Sequence, residues 1–523
     1  TGNNYPTIKL LFFFTFDFCV VIDCEIFMRT SHNYLAIDLG AESGRTIVGS
    51  FDGDRISLCE THRFANEPVR LPDGLHWDMF RLWSEIKTGM RASSAQFEKQ
   101  LDSVGVDTWG VDFSLLDAEG GMLIAPFHYR DERTDGMLAE AFKRMPRIEI
   151  FSRTGIQFMQ FNTLYQLLAI SLRKPALLDA AQRFVTIPDL LNYWLCGEIT
   201  NEFTNATTTQ CFDPLRREWS AELLSSMHIP ERLFSQVTYP GTGIGVLRSP
   251  VAEETGAEEI QVVLPACHDT GSAVVAVPAQ NTDFVWISSG TWSIIGAEVN
   301  QPLLDKKALD YNFTNEGGVF NTWRLSKNIM GLWLIQECRR VWARAGTELT
   351  YAEMTRLASE AEPFLAVIDP DFEGFLAPAN MPTRICQFCK DTNQPVPQTQ
   401  GQILRVALES LALKYRFTLD RLEELVGKPL NPIHIVGGGT KNRLLNQFIA
   451  DATDRLVMSG PVEATAIGNI LMQAVGLNHI ASLVEARYIV RKNFVPEIFE
   501  PQHAAEWEEP YDRFRKVINL CYR

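Results

Sequence analysis

The segment ACHDTGSAVV, residues 266–275, sets Asp269 directly after an apolar run (Val262, Val263, Leu264, Pro265, Ala266) and before small residues. Two chemistries fit that placement. A side-chain oxygen at a helix start caps free N–H groups, and a carboxylate fixed at the mouth of a cleft is a general base. Four further stretches, 34–51, 104–117, 284–298 and 433–453, couple an apolar β-type run to a turn of glycine or hydroxyl residues. In YLAIDLGAESGRTIVGSF (34–51), Gly40 and Gly44 let the backbone approach a phosphate, while Ser43 and Arg45 offer donors. The same turn also fits an ordinary hairpin. Asp38, at its start, is placed either to hold a largely hydrated Mg2+ beside phosphates or to cap the turn. FVWISSGTWSIIGAE (284–298) carries a second hydroxyl-rich turn at Ser289, Gly290 and Thr291. IHIVGGGTKNRLLNQFIADAT (433–453) sets three glycines before a helix, either as a shelf for a nucleotide or as a tight connection. DTWGVDF (107–113) gathers Asp107, Trp109, Gly110, Asp112 and Phe113. That composition suits a sugar site with indole walls and hydroxyl-binding carboxylates, although Trp109 alone also suits core packing. His76-Trp77-Asp78 and Arg130-Asp131 have weaker claims of the same kind, the latter equally a structural ion pair.

These groups need elements to position them. LAI (35–37) and TIV (46–48) read as the two strands of a hairpin, and 284–298 as another. VGVDTWGVDFSLLD (104–117) reads as strand, turn, strand. The recurrence of the strand–turn–strand unit near the start of each half points to a duplicated α/β architecture with a break around 276–284. Residues 401–427 repeat Leu, Ala and Tyr at helical spacing and end at Gly427, a long helix. Residues 363–399, rich in proline and polar side chains, read as a long loop carrying Cys386-x-x-Cys389. No second ligand pair follows at zinc spacing, so the two thiols read as free. GTGIGVL (241–247) follows Tyr239-Pro240 and reads as a surface turn.

Length and charge narrow the classes. A chain of 523 residues with 46% hydrophobic and 21% charged side chains is an ordinary globular composition with room for two or more domains. A net charge of −16 argues against nucleic acid as a partner, yet backbone N–H groups hold nucleotide phosphates without much side-chain charge. No Walker A motif is present. The apolar run LLFFFTFDFCVVI (10–22) is too short to span a bilayer and lacks the flanks of a signal peptide. The expectation is a soluble cytoplasmic protein with no membrane partner, whose residues 1–27 precede a natural start at Met28.

Taken together these segments resemble the FGGY carbohydrate kinases. The residues that carry the likeness are AIDLGAESGR, GVDTWGVDF, YRDERT, TGIQF with FNTLYQL, TNATTTQ, HDTGSA, SSGTWS, TNEGG, KNIMGLWL, IHIVGGGTKN and GPVEATAIGN, in the expected order from about 34 to 475. The family places a small or hydroxyl residue before the serine of the first turn; this chain has Glu42. The resemblance implies an α/β, actin-like (ribonuclease-H-like) fold duplicated in two domains, with ATP, Mg2+ and a small-molecule sugar in the cleft between them. The division expected is an extension at 1–32, a sugar- and phosphate-binding domain at 33–280, a nucleotide-binding domain at 281–490 and a tail at 491–523. It also implies roles. Ala41, Glu42, Ser43, Gly44 and Arg45 form the phosphate loop, with Thr291, Gln336 and Gly438 holding ATP. Gly110, His268, Asp269, Thr270 and Asn328 lie at the sugar, and Asp269 accepts the proton of its primary hydroxyl.

Overall fold

The computed structural model describes residues 31–258, 260–376 and 380–521. The expectations for residues 1–27 lie outside the described residues. The first domain is built on β1 (His32–Leu39), β2 (Ser43–Phe51), β3 (Ile56–Ala65), α1 (Met79–Gln96), β4 (Ser103–Thr108), β5 (Thr242–Val246), β6 (Gln261–Leu264) and α2 (Asp269–Val275). The second uses β7 (Val285–Ser289), β8 (Trp292–Val299), β9 (Thr314–Gly317), β10 (Trp323–Met330), α3 (Trp333–Arg344), α4 (Gln400–Val426), β11 (Ile433–Val436), α5 (Arg443–Thr453), β12 (Val457–Ser459), α6 (Ala464–Gly476), β13 (Glu497–Phe499) and α7 (Glu508–Cys521).

The two sheets have one plan. The first runs β5-β6-β4-β1-β2-β3 and the second β9-β10-β8-β7-β11-β12-β13. In each, an antiparallel hairpin (β1/β2, β7/β8) is continued by an antiparallel third strand (β3, β10) on one side. Two parallel strands (β4 then β6, β11 then β12) and a final antiparallel one (β5, β13) follow on the other. β9 is an addition to the second sheet. The expected duplication is therefore present strand for strand. Buried on both faces, the central strands read as largely apolar runs rather than alternations: Tyr34 to Leu39 of β1 are all buried, Asp38 among them.

Local signals fix the helices. Thr399 closes a capping box on Gln402 at the start of α4, and Gly427 ends it at φ +76°. Helices α2 and α6 sit back to back between the two sheets. Their backbones meet so closely that a Cβ on Gly468 would lie 1.8 Å from the Ser272 carbonyl oxygen. Polar side chains of α6 reach the first sheet: Asn469 donates to the Gly105 carbonyl at 3.1 Å and Gln473 to that of Leu35 at 3.0 Å.

Several expectations need correction. Residues 241–247 are no turn but the edge strand β5, paired antiparallel with β6 and bulged between Gly243 and Gly245. Its glycines carry little intrinsic β preference, and the neighbouring strand supplies the pairing. Residues 363–399 contain a helix, Met381–Asp391, whose start is marked by Asn380 accepting from the Thr383 N–H and by Pro382 in the first turn. Proline punctuates loops and also opens helices, and here it does the second. Cys386 and Cys389 share one side of that helix as free thiols, both raised by burial. In VGVDTWGVDFSLLD the strands part: β4 pairs with β1, while Phe113–Leu116 pairs with Arg183–Thr186. The segment expected as a tail adds β13 to the second sheet and buries Trp507, Tyr511 and Phe514 of the last helical stretch in that domain's core. No described helix is long and apolar enough to cross a membrane.

Candidate active site

The turns at the ends of the central strands converge on one cleft of about 430 Å3 between the domains. This is where open α/β sheets bind ligands, because loops at strand C-termini are free of the sheet's own hydrogen bonding. Asp38, Ala41, Glu42, Ser43, Arg45, Gly110, His268, Asp269, Thr270, Thr291, Asn328 and Gly438 all line it. Gly44 and Gln336 are not among its lining residues. Gly44 is buried, and a Cβ there would meet the Phe64 ring at 2.4 Å, so its role is to let β2 pass that ring. Gln336 sits on α3 with a buried, unpartnered Oε1.

One end of the cleft is made of main chain. The β1–β2 turn is closed by Gly40 donating to the Ser43 carbonyl at 2.9 Å and is held from below by Asn66, which donates to Gly40 O at 2.8 Å. Facing it, the β7–β8 turn is closed by Gly290 donating to Trp292 O at 2.9 Å. The Gly437–Gly439 run packs on that second turn. Gly437 has φ +86°, and a Cβ on Gly439 would sit 2.0 Å from Ser289 Oγ. Only glycine permits this approach, which leaves a flat strip of backbone, Gly437 and Gly438, on the cleft wall, with the Gly437 N–H donated to the Pro461 carbonyl at 3.3 Å. Arg45 is already engaged: its Nη2 and Nε donate to Asp38 Oδ2 at 2.7 and 2.9 Å, and Nη1 pairs with Glu463 of the second domain. Although burial disfavours its charge, these carboxylates hold the guanidinium above its ordinary value. Glu42 pairs across the cleft with Arg340 at 2.9 Å, both about half exposed, which offsets its charge beside anionic phosphates.

Three carboxylates meet at the centre. Asp38 and Asp107 are paired neighbours on β1 and β4, and Asp269 is the first residue of α2, with His268 in the cap position. Asp269 Oδ1 accepts from the Thr270 N–H at 2.5 Å and the Thr270 hydroxyl at 3.1 Å. Both bonds fall on Oδ1, and Oδ2 remains for a ligand. Burial raises the Asp269 pKa and the charge of Asp38 adds to the rise, opposed by the hydrogen bonds from Thr270. Asp107 is fully buried. Burial, then the charge of Asp38, push its pKa well above the ordinary carboxylate value, opposed by the Asn469 amide, which donates to Oδ2 at 2.6 Å.

The other end is aromatic. Trp109, Tyr129, Phe161 and Trp292 line it. Phe161 bridges the domains, edge-on to Tyr129 (5.6 Å) and to Trp292 (5.9 Å). Arg130 lies over Trp333 at 4.4 Å and near Tyr129 and Trp292. It is thus part of that wall, and Arg133, not Arg130, pairs with Asp131 at 3.5 Å. Gly110 approaches His268 so closely that a Cβ would lie 3.3 Å from Nε2. Val111 beside it has φ +68°, a strained conformation for a β-branched residue and one characteristic of functional loops.

Asp112 and Phe113, candidates by their place in DTWGVDF, are structural. Asp112 accepts from the indole N–H groups of Trp77 (2.6 Å) and Trp109 (3.0 Å), from Gln166 (2.9 Å) and from the Tyr129 N–H (3.2 Å). It orients the aromatic wall and does not meet the cleft. Phe113 packs in a core behind it. His76 Nδ1 donates to the Ala125 carbonyl at 2.9 Å and its Nε2 lies 3.1 Å from Asp73, Trp77 is buried, and Asp78 caps α1. Sequence reasoning missed Gln157, whose Oε1 accepts from Asn328 N (2.9 Å) and Nδ2 (3.2 Å). It also missed Glu316, Arg324 and Glu463. Gln157 and Glu316 lie in the stretches TGIQF and TNEGG, yet nothing in their local spacing says which side chain points inward.

Models of the FGGY family of carbohydrate kinases match the chain twice, the N-terminal domain over residues 33–276 and the C-terminal domain over 285–477. The chain belongs to the FGGY family of carbohydrate kinases. A rhamnulokinase of Bacteroides thetaiotaomicron is 40% identical over 93% of this chain and 99% of its own length. One from Oceanobacillus iheyensis is 42% identical over 88% and 96%. Among solved structures, a ligand-bound xylulose kinase from Lactobacillus acidophilus superposes with a TM-score of 0.80 at 15% identity, covering 94% of this chain and 98% of that one. Plasmodium falciparum glycerol kinase with ADP gives 0.76 at 16%, covering 94% and 99%. At those identities the structures speak to the fold alone: two actin-like domains around a cleft. As an FGGY kinase the protein is an enzyme that phosphorylates a small-molecule sugar with ATP.

Proposed function

We propose that this FGGY kinase transfers the γ-phosphoryl group of ATP to the 1-hydroxyl of L-rhamnulose, giving L-rhamnulose 1-phosphate and ADP in rhamnose catabolism. The substrate rests on the rhamnulokinases, matched at 38–42% identity over nearly their whole length. The observation that carries the mechanism is the position of Asp269, between the glycine-lined turns and the aromatic wall in a single cleft.

In this reading Ala41, Glu42, Ser43 and Arg45, with Thr291 and Gly438, hold the nucleotide, and Gly44 serves the turn from beneath. Gln336 supports it from α3. Gly110, His268, Thr270 and Asn328 orient the sugar, with Gln157 fixing Asn328. The deoxy carbon of the sugar lies against the aromatic wall, where Trp109 and Phe161 supply apolar surface. A primary alcohol is a weak nucleophile. Asp269 Oδ2 takes its proton as the new O–P bond forms, and the electrons of the breaking bond go to the β-phosphate oxygen of ADP. A carboxylate raised by its surroundings is the better base near neutral pH.

Among the described residues no group of three or more His, Cys, Asp or Glu is arranged to hold a metal directly. Mg2+ keeps most of its waters and takes one or two carboxylates plus phosphates, so a single carboxylate beside the phosphates would serve it. Asp38 is the residue for it, since Arg45 engages only its Oδ2. The ion would screen the phosphate charge. Location in the cytoplasm completes the proposal.

The test is ADP release measured with ATP alone and with L-rhamnulose, L-fuculose, D-xylulose and glycerol. The expected result is turnover with L-rhamnulose at a kcat/KM well above the others. Preference for another ketose would reassign the substrate within the family, and equal ATP turnover without sugar would favour a nucleotide switch instead.

A further inference from the structure

His268 is held from the opposite domain. Arg324 of β10 is fully buried, and its Nη2 donates to His268 Nδ1 at 3.0 Å, while Nε donates to the Gly317 carbonyl at 2.9 Å. Glu316, the cross-strand partner of Arg324 on β9, lies 3.1 Å from the same Nη2 and 3.3 Å from His268 Nδ1. On the far side of the ring, Nε2 is 3.5 Å from Asp269 Oδ1 and faces Gly110. The ring's own backbone is fixed from its own domain, where the His268 N–H donates to Thr204 Oγ1 at 3.1 Å and that hydroxyl donates to Glu202 at 2.7 Å.

An arginine has N–H donors and no acceptor. A guanidinium N–H aimed at Nδ1 from 3.0 Å therefore needs a lone pair there, and an N–H on Nδ1 would set donor against donor. The single proton of the neutral ring is then on Nε2, the nitrogen that faces Asp269 and the sugar side of the cleft. Glu316 neutralises the buried guanidinium, and burial would otherwise oppose that charge.

From this geometry we propose that Arg324, with Glu316 as its counter-ion, is a positioning pair that locks His268 as the Nε2–H tautomer, so that the second domain dictates the hydrogen-bond donor the first domain presents to the sugar. The inference deepens the function proposed above and rests on the placement of the sugar beside His268. A tautomer is fixed only by the partner of the other ring nitrogen. Here that partner comes from the other half of the duplicated fold, so the donor exists in the right form only when the two domains are docked.

The decisive measurement needs no turnover. Full-length protein carrying 15N-labelled histidine is examined by two-bond 15N–1H correlation at about pH 7.5, with His268→Asn identifying the resonances. The expected pattern is that of an unprotonated Nδ1 and a protonated Nε2. An Nδ1–H tautomer, with Glu316 as acceptor, or a doubly protonated ring would overturn the proposal whatever the substrate proves to be. Kinetics supply the second arm. In Arg324→Met/Glu316→Gln, which removes both buried charges together, His268 should lose its single tautomer. kcat/KM for the sugar that the parent turns over best should then fall about 10²-fold, with KM for ATP unchanged within about threefold. Loss of the tautomer without loss of sugar kcat/KM, or an equal rise in both KM values, would also overturn it. Turnover with a different sugar would revise the substrate alone.

Discussion

Replacing Asp269 by asparagine isolates the proton-accepting role. The side chain keeps its shape, and an amide Oδ1 still accepts from the Thr270 N–H and hydroxyl, at 2.5 and 3.1 Å in the parent. What disappears is the site for the proton on Oδ2. General-base catalysis of this kind contributes about 10²–10⁴-fold, which at about 1.4 kcal/mol per decade is ~3–5 kcal/mol of transition-state stabilisation. The fold should not suffer. Asp38 is one of the groups that raise the Asp269 pKa, so removing the charge relieves repulsion at the centre of the cleft, and the melting temperature should hold or rise. Ground-state binding should change little, because the amide fills the same volume. The assay is steady-state ADP release by coupled enzymes, with sugar and ATP dissociation constants measured separately by calorimetry. Expected are a kcat reduced by two or more decades and dissociation constants within about threefold of the parent. A kcat within about threefold of the parent would remove Asp269 from the role of base. A large loss of sugar affinity with kcat preserved would make it a binding group instead.

Stability should fall as pH rises from about 5 to about 8, through Glu202. Burial pushes its carboxyl up to about 8, against 4.5 when exposed, so over that window the unfolded chain has released a proton that the folded chain retains, and stability decreases with pH. Glu202→Gln should flatten the decline of the melting temperature, and coincident slopes in parent and variant would rule Glu202 out as its source. Gly439→Ala would drive a Cβ to 2.0 Å from Ser289 Oγ and should shift the nucleotide strip off the β7–β8 turn. Overpacking of this kind costs about 1–3 kcal/mol, and KM for ATP should rise about tenfold with KM for the sugar little changed. A variant with unaltered ATP affinity would show that this close approach does not matter to the nucleotide.

Much of this is legible in the chain itself. The paired hairpins at 34–51 and 284–298, the glycine run before α5 and the long α4 follow from local physics. Apolar runs, turn residues and caps act over a few residues, and the structure has them where their spacing implies. The motifs also name most residues that line the cleft, from Ala41 to Asn328. Expectations fail where local signals are weak or double-edged. The glycine-rich 241–247 becomes a strand only because β6 offers it a partner, and Pro382 opens a helix instead of breaking one. Asp112 and Phe113 share a motif with Gly110, yet one holds indoles and the other fills a core, since successive residues of an extended segment point to opposite sides.

Which residues within those stretches meet in the cleft was settled only by tertiary structure. The sequence by itself determined two homologous α/β halves, their turns and the residue types at each turn, because strand and turn formation answer to neighbours in the chain. It did not determine that Arg324 reaches His268, Gln157 reaches Asn328 or Glu463 reaches Arg45. Those pairs join residues 56, 171 and more than 400 positions apart. They exist because two sheets pack together through α2 and α6, bringing buried polar groups of one half to the partners they require in the other.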